Sequence, residues 1–181
     1  MTDMSQPPNN PIGQSLRRRE DARFLTGAGQ YTDDVVLPGQ TYGVFLRSPY
    51  AHARIRSIDT SKAKAMPGVV AIFTGADMAG VGGLPCGWLI TSKDGTPMKE
   101  PPHPVLAQGK ARHVGDQVAL VVADTTLQAR DAAEAIEVDY EELTPVIDMA
   151  TAESIGSAVH DDVPNNVCYD WGHGDKAAVD A

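Results

Sequence analysis

The chain has 181 residues, 42% of them hydrophobic, and a formal net charge of −9 at pH 7. That length bounds it to one domain with tails, or a domain and part of another. Its acidity argues against general nucleic-acid binding, which needs a basic face for phosphates. No apolar run approaches the ~20 residues that span a bilayer, and the N-terminus lacks the apolar segment of a secretory signal. Arg17-Arg18-Arg19 is not followed by the apolar run of a twin-arginine signal. The two cysteines, Cys86 and Cys168, are far apart and lack a metal-type partner in sequence, so a reduced, cytoplasmic setting is expected.

Residues 1–13 are polar and contain Pro7, Pro8 and Pro11, which reads as a disordered tail. A short helix is expected over Ser15–Leu25, capped by Ser15 and stopped at Gly27. Thr41–Arg47 reads as a strand, broken by Ser48-Pro49-Tyr50-Ala51-His52 because proline removes a ladder donor and restricts its predecessor. Ala53–Ile58 alternates as a second strand. Asp59–Ala65 fits a short helix capped by Asp59 or Thr60 and ended by Pro67-Gly68. Val69–Phe73 has the composition of a fully buried strand.

The stretch 75–109 is rich in Gly and Pro and long for an irregular segment in a compact domain, so a partner surface or a site rim is expected there. The best-built part follows, Ala111 to Leu143. Gly115-Asp116 between Arg112–Val114 and Gln117–Ala123 suits a two-residue II′ hairpin. Gln117–Ala123 is apolar enough to be covered on both faces. Thr125 with Gln128 has capping-box spacing, Asp124 being the alternative cap. Leu127–Ile136 is helical in period, and its alanines would let the helix lie close on a sheet. Val138–Leu143 is extended again. A strand–helix–strand pattern thus occurs twice, over 53–73 and 117–142. A short helix is expected near Asp148, and the polar terminal stretch ends in a helix start over 175–181.

Motifs for chemistry are weak. Gly27-x-Gly29 and Gly80-x-Gly82-Gly83 lack the strand–GxGxxG–helix context and the GK[ST] ending, so they read as turns. No histidine pair has the i,i+4 spacing of a helical metal site; the only His/Asp-rich patch is His160-Asp161-Asp162 with His173 and Asp175. No GxSxG elbow is present, and Cys86 has no sequence neighbour to lower its pKa. The adjacent acids Asp33-Asp34, Glu141-Glu142 and Asp161-Asp162 point opposite ways on an extended chain and read as solvated. Trp88 and Trp171, both beside glycine, are interface anchors or pack on their own domain.

Several phrases together resemble one family. Arg18-Arg19-Glu20-Asp21-Ala22-Arg23-Phe24-Leu25-Thr26-Gly27, then Tyr31-Thr32-Asp33-Asp34, is similar to the opening of the molybdopterin-binding large subunit of the xanthine dehydrogenase/aldehyde oxidase family, particularly the carbon monoxide dehydrogenase type. Arg47-Ser48-Pro49-Tyr50-Ala51-His52-Ala53-Arg54-Ile55 resembles that family's most recognisable N-terminal phrase. Pro67-Gly68-Val69-Val70, Val114-Gly115-Asp116 and Val138-Asp139-Tyr140-Glu141 follow in the expected order.

The resemblance implies an α+β fold, the α/β hammerhead: a mixed sheet with short helices packed on it, over residues 14–155. It implies that 156–181 is a linker into a molybdenum-binding domain. It also implies an enzyme context, hydroxylation of an aldehyde, an N-heterocycle or carbon monoxide with water-derived oxygen. Molybdopterin would then sit elsewhere in the subunit, with [2Fe–2S] clusters and FAD on partner subunits. No catalytic, cofactor-binding or metal residue carries over, because the family's glycine-rich segments and catalytic glutamate lie beyond the hammerhead. The marked residues Arg18, Glu20, Asp21, Arg23, Arg47, Ser48, Pro49, Tyr50, His52, Gly115 and Asp116 are expected to be structural. The alternative is a free-standing interaction or assembly module that reuses the fold.

Overall fold

A computed structural model describes residues 12, 13, 15 and 17–180. Most of the expected tail, residues 1–11, lies outside the described residues, as does Ala181. The chain divides into two units, residues 1–40 and 41–181.

In the N-terminal unit, α1 is only Asp21–Leu25. The expected helix from Ser15 is therefore too long, and Glu20 precedes α1 without a side-chain cap bond. Its end is as expected. Gly27 adopts φ +72°, Gly27 N–H donates to Phe24 O at 3.1 Å, and Ala28 N–H donates to Arg23 O at 2.8 Å. Those two bonds form a Schellman motif, which needs the left-handed residue that glycine supplies. Phe24 then stacks on Tyr31, ring centres 5.3 Å apart.

Residues 41–180 build two three-stranded sheets, as α+β with short helices. The strands are β1 (Tyr42–Arg47), β2 (Ala53–Asp59), β3 (Val69–Thr74), β4 (Lys110–Ala111), β5 (Gln117–Ala123) and β6 (Glu137–Glu142). The helices are α2 (Ser61–Lys64), α3 (Thr126–Glu134) and α4 (Lys176–Asp180). One sheet runs β1-β5-β3 and the other β4-β2-β6, every pairing antiparallel. The repeated strand–helix–strand pattern has a topological meaning. β2-α2-β3 leaves the second sheet and enters the first, and β5-α3-β6 makes the reverse crossing. The two strand–helix–strand segments interlock, β3 pairing with β5 and β2 with β6.

The core lies between the helices and the β1-β5-β3 sheet. Ala129, Ala132 and Ala133 of α3 pack with Ala119, Val121 and Ala123 of β5, Ala63 of α2 and Ile72 of β3. Alanine on both surfaces permits close approach, and Val118 and Val121 are fully buried, each contributing about 1.5–3 kcal/mol. Thr125 caps α3, its Oγ1 accepting from Gln128 N–H at 3.2 Å.

Three expectations are corrected. Gly115-Asp116 is not a II′ hairpin: β4 pairs with β2 and not with β5. Asp116 N–H donates to His113 O at 3.2 Å, which puts Gly115, at φ +87°, third in the turn, where type II turns demand positive φ. β3 is not covered on both faces, since Val70 is 58% and Phe73 37% exposed. At Asp148 there is no helix but a run of turns, where its carboxylate accepts from Ala150 N–H and Thr151 Oγ1.

Candidate functional site

The phrases 47–52 and 114–116 meet in space. Ser48 N–H donates to Asp116 O, and Gly115 N–H donates to Ser48 O, both at 2.8 Å. A bulge between Leu46 and Arg47 re-aims the strand end, and Arg47 Nη1 donates to Gly115 O at 2.8 Å. Ser48 Oγ accepts from Tyr50 N–H at 3.1 Å, tightening the chain around Pro49. Tyr50 packs on Tyr140 of β6, ring centres 5.1 Å apart. Burial is the main force pushing the Tyr140 hydroxyl pKa up, with the Ser48 side chain opposing it.

His52, only 4% exposed, closes the clamp. Its Nδ1 lies 2.9 Å from Thr144 O, so Nδ1 carries the proton and donates, and Leu143 N–H donates to His52 O at 2.9 Å. Nε2 is left a buried acceptor without a partner among the described residues.

Two cavities flank the clamp. One, about 610 Å³, is a groove on the outer face of the β1-β5-β3 sheet, floored by Phe45, Phe73 and Leu120 and walled by Leu84 and Leu106, with Arg47, His113 and Asp116 along one side. The other, about 380 Å³, is lined by His103, Arg112, His113, Asp116 and His160 among prolines of the 101–104 segment. Asp116 Oδ2 accepts from Arg112 N–H at 2.9 Å. His160 has its pKa pushed down, chiefly by burial and then by Arg112. Asp161 is held below the usual carboxylate range by the hydrogen bond from Lys110, 2.5 Å away.

The residues marked in the sequence divide between the two units. Arg47, Ser48, Pro49, Tyr50, His52, Gly115 and Asp116 belong to the clamp region just described. Arg18, Glu20, Asp21 and Arg23 belong to the N-terminal unit: Arg18 pairs with Asp21 at 3.8 Å, Glu20 O accepts from Arg23 and Phe24, and the Arg23 guanidinium sits over the Phe24 ring.

Sequence reasoning missed Arg112, His103 and Asn166. Asn166 adopts φ +58° and its side chain accepts from Val159 N–H and donates to Ala152 O and Ser157 O, fixing the loop that carries His160. An Asn-Asn pair after proline is a left-handed turn signal that could have found it. His103 and Arg112 are distant in sequence and no local signal links them. Trp88 and Trp171 are 81% and 58% exposed, and Cys86 is exposed with its thiol on Trp88 O.

Molybdopterin does not fit the larger cavity. A pterin needs donors and acceptors along its edges. The larger cavity has an apolar floor, and the Arg47 donor beside it is bound to Gly115 O. Among the described residues, no three His, Cys, Asp or Glu side chains could hold a metal ion, and no helix is long and apolar enough to cross a membrane.

Two antiparallel sheets exchanging strands through short helices, with clustered motifs bonded to backbone, define a domain of the α/β hammerhead kind. The chain belongs to the aldehyde oxidase and xanthine dehydrogenase family: the family's a/b hammerhead domain matches residues 26–144. It is 39% identical to the carbon monoxide dehydrogenase large chain of Afipia carboxidovorans, a match over 94% of this chain and 22% of that one. It is 37% identical to the nicotine 6-hydroxylase large subunit of Paenarthrobacter nicotinovorans, over 87% of this chain and 19% of the relative. The crystal structure of quinoline 2-oxidoreductase from Pseudomonas putida 86 superposes with a TM-score of 0.73 at 43% identity, over 86% of this chain and 19% of that chain. The chain thus spans about a fifth of the length of the curated relatives it matches. These relatives lend no support to a free-standing assembly module.

Proposed function

We propose that this chain is the N-terminal scaffold of the large subunit of a molybdenum hydroxylase, a domain that is not catalytic by itself. The observation that carries the reading is the use made of the marked side chains. Arg47 holds a carbonyl, Ser48 folds back on Tyr50, and His52 Nδ1 is bound to Thr144 O. Residues spent this way position backbone; they offer no free nucleophile or base in reach of a substrate.

In this reading residues 1–13 are a tail, 14–155 the hammerhead, and 156–181 the lead into a molybdenum-binding domain that carries molybdopterin. Iron–sulfur and FAD subunits complete the electron path. The whole enzyme would hydroxylate an aldehyde, an N-heterocycle or carbon monoxide with oxygen from water. The names of the relatives, a carbon monoxide dehydrogenase and a nicotine 6-hydroxylase, support the class without selecting a substrate.

Metal analysis of the purified chain tests the reading. The expected result is molybdenum far below one atom per chain, whether or not the host makes the cofactor. Stoichiometric molybdenum on these residues would overturn it.

A further inference from the structure

The cavity beside the clamp gathers basic side chains on a chain whose formal charge is −9. His103, Arg112, His113 and His160 come from different stretches, and Pro101, Pro102 and Pro104 wall it with residues that bring no N–H of their own. Arg112 is fixed in place: its backbone N–H is held by Asp116 and its Nη1 reaches Lys110 O at 3.4 Å. Its Nε is buried and has no partner among the described residues. Of the nearby acids, Asp116 is engaged with the Arg112 amide and Asp161 with Lys110, while Asp162 faces His160. A buried donor left unpaired is unfavourable, and a ligand that accepts from it recovers that cost. Guanidinium and imidazolium donors favour an ionised oxygen over a neutral one.

We propose that this cavity of about 380 Å³ is an oxyanion pocket, binding a carboxylate or phosphate with Arg112 Nε as the fixed donor and His103, His113 and His160 as flanking donors. It does not depend on the scaffold reading and would stand if that reading failed. Protonation sets its strength. Burial pushes the His160 pKa down, and the ring faces Arg112 and His103 on the basic side and Asp161 and Asp162 on the acidic side; His113 faces Asp116. A bound oxyanion favours protonated imidazole, so affinity rises as pH falls. A free small anion and an acidic side chain of another polypeptide share this chemistry.

Side-chain ¹H–¹⁵N NMR of the arginine Nε and histidine resonances tests it. Sodium phosphate, sodium acetate and a short aspartate-rich peptide are titrated separately, at constant ionic strength set with sodium chloride. The expected result is saturable movement of the Arg112 Nε and His160 signals, with affinity several-fold higher at pH 6.0 than at pH 7.5. Arg112→Lys keeps the charge and loses the Nε–H, and should weaken binding about tenfold, or about 1.4 kcal/mol. His103→Gln, on an exposed loop position, should weaken it at pH 6.0 without unfolding the chain, and covers the case in which Arg112→Lys fails to fold. Tighter binding of phosphate or acetate assigns the pocket to free anions, and tighter binding of the peptide assigns it to a protein carboxylate. Shifts that sodium chloride reproduces, a pocket holding water alone with no saturable response, or a folded His103→Gln chain that binds undiminished, would overturn the proposal.

Discussion

At the scale of single residues, His52 shows how one side chain can be both necessary and half unused. Its Nδ1–H bond to Thr144 O joins the start of β2 to the exit of β6, while Nε2 is buried without a partner. Removing the ring loses the bond, leaves the Thr144 carbonyl short of one donor (Ser157 Oγ still reaches it at 2.8 Å) and opens a cavity. His52→Ala should therefore cost about 2–4 kcal/mol. His52→Asn places an amide N–H where Nδ1 stood and deletes the idle Nε2. Its cost should be clearly smaller, about 1 kcal/mol. Urea unfolding of both variants checks this; equal losses would show that ring packing, and not the bond to Thr144, is what matters. The sequence marked His52 only as part of a phrase. Its partner is a backbone carbonyl 92 residues away, and a carbonyl carries no residue-specific signal.

At the scale of elements, α3 was the most legible piece and β4 the least. α3 announces itself through a polar cap, a helical period and alanines, all within a short window. Two substitutions separate its local and tertiary determinants. Thr125→Ala removes the bond to Gln128 N–H and should cost about 1 kcal/mol. Ala132→Leu forces a larger side chain into a fully buried position against β5 and should cost about 1–3 kcal/mol, although leucine is nearly as good a helix former as alanine. If thermal melts rank these two the other way, local capping outweighs packing in this helix. The turn at Gly115 was misread for a physical reason. A glycine between two extended runs suggests a hairpin, but the strands on either side, β4 and β5, belong to different sheets, and only long-range pairing decides which strand takes which partner. Likewise the apolar run of β3 showed that it was a strand, while the exposure of Val70 and Phe73 depends on what the rest of the chain leaves uncovered.

At the scale of the whole molecule, the unburied apolar surface is the feature to explain. Phe45 and Phe73 stand 39% and 37% exposed beside the groove of about 610 Å³, and Trp88, Leu84 and Trp171 are more exposed still. Scattered exposed apolar residues are ordinary, but a contiguous apolar groove is a contact surface or an aggregation liability. A scaffold domain that normally packs on further protein would have such a surface, so the chain alone should self-associate. Sedimentation velocity should show a weight-average mass that climbs with concentration, since burying apolar area contributes about 25 cal/mol per Å². Phe73→Ser should reduce the effect and Leu127→Ser should not, because Leu127 is 70% exposed on α3 and does not line the groove. Each change removes one large apolar side chain, so overall hydrophobicity cannot separate them; the difference isolates the groove. A chain that remains monomeric at high concentration would mean that this sheet face is satisfied by water, and the claim that it normally lies against further protein would fall with it.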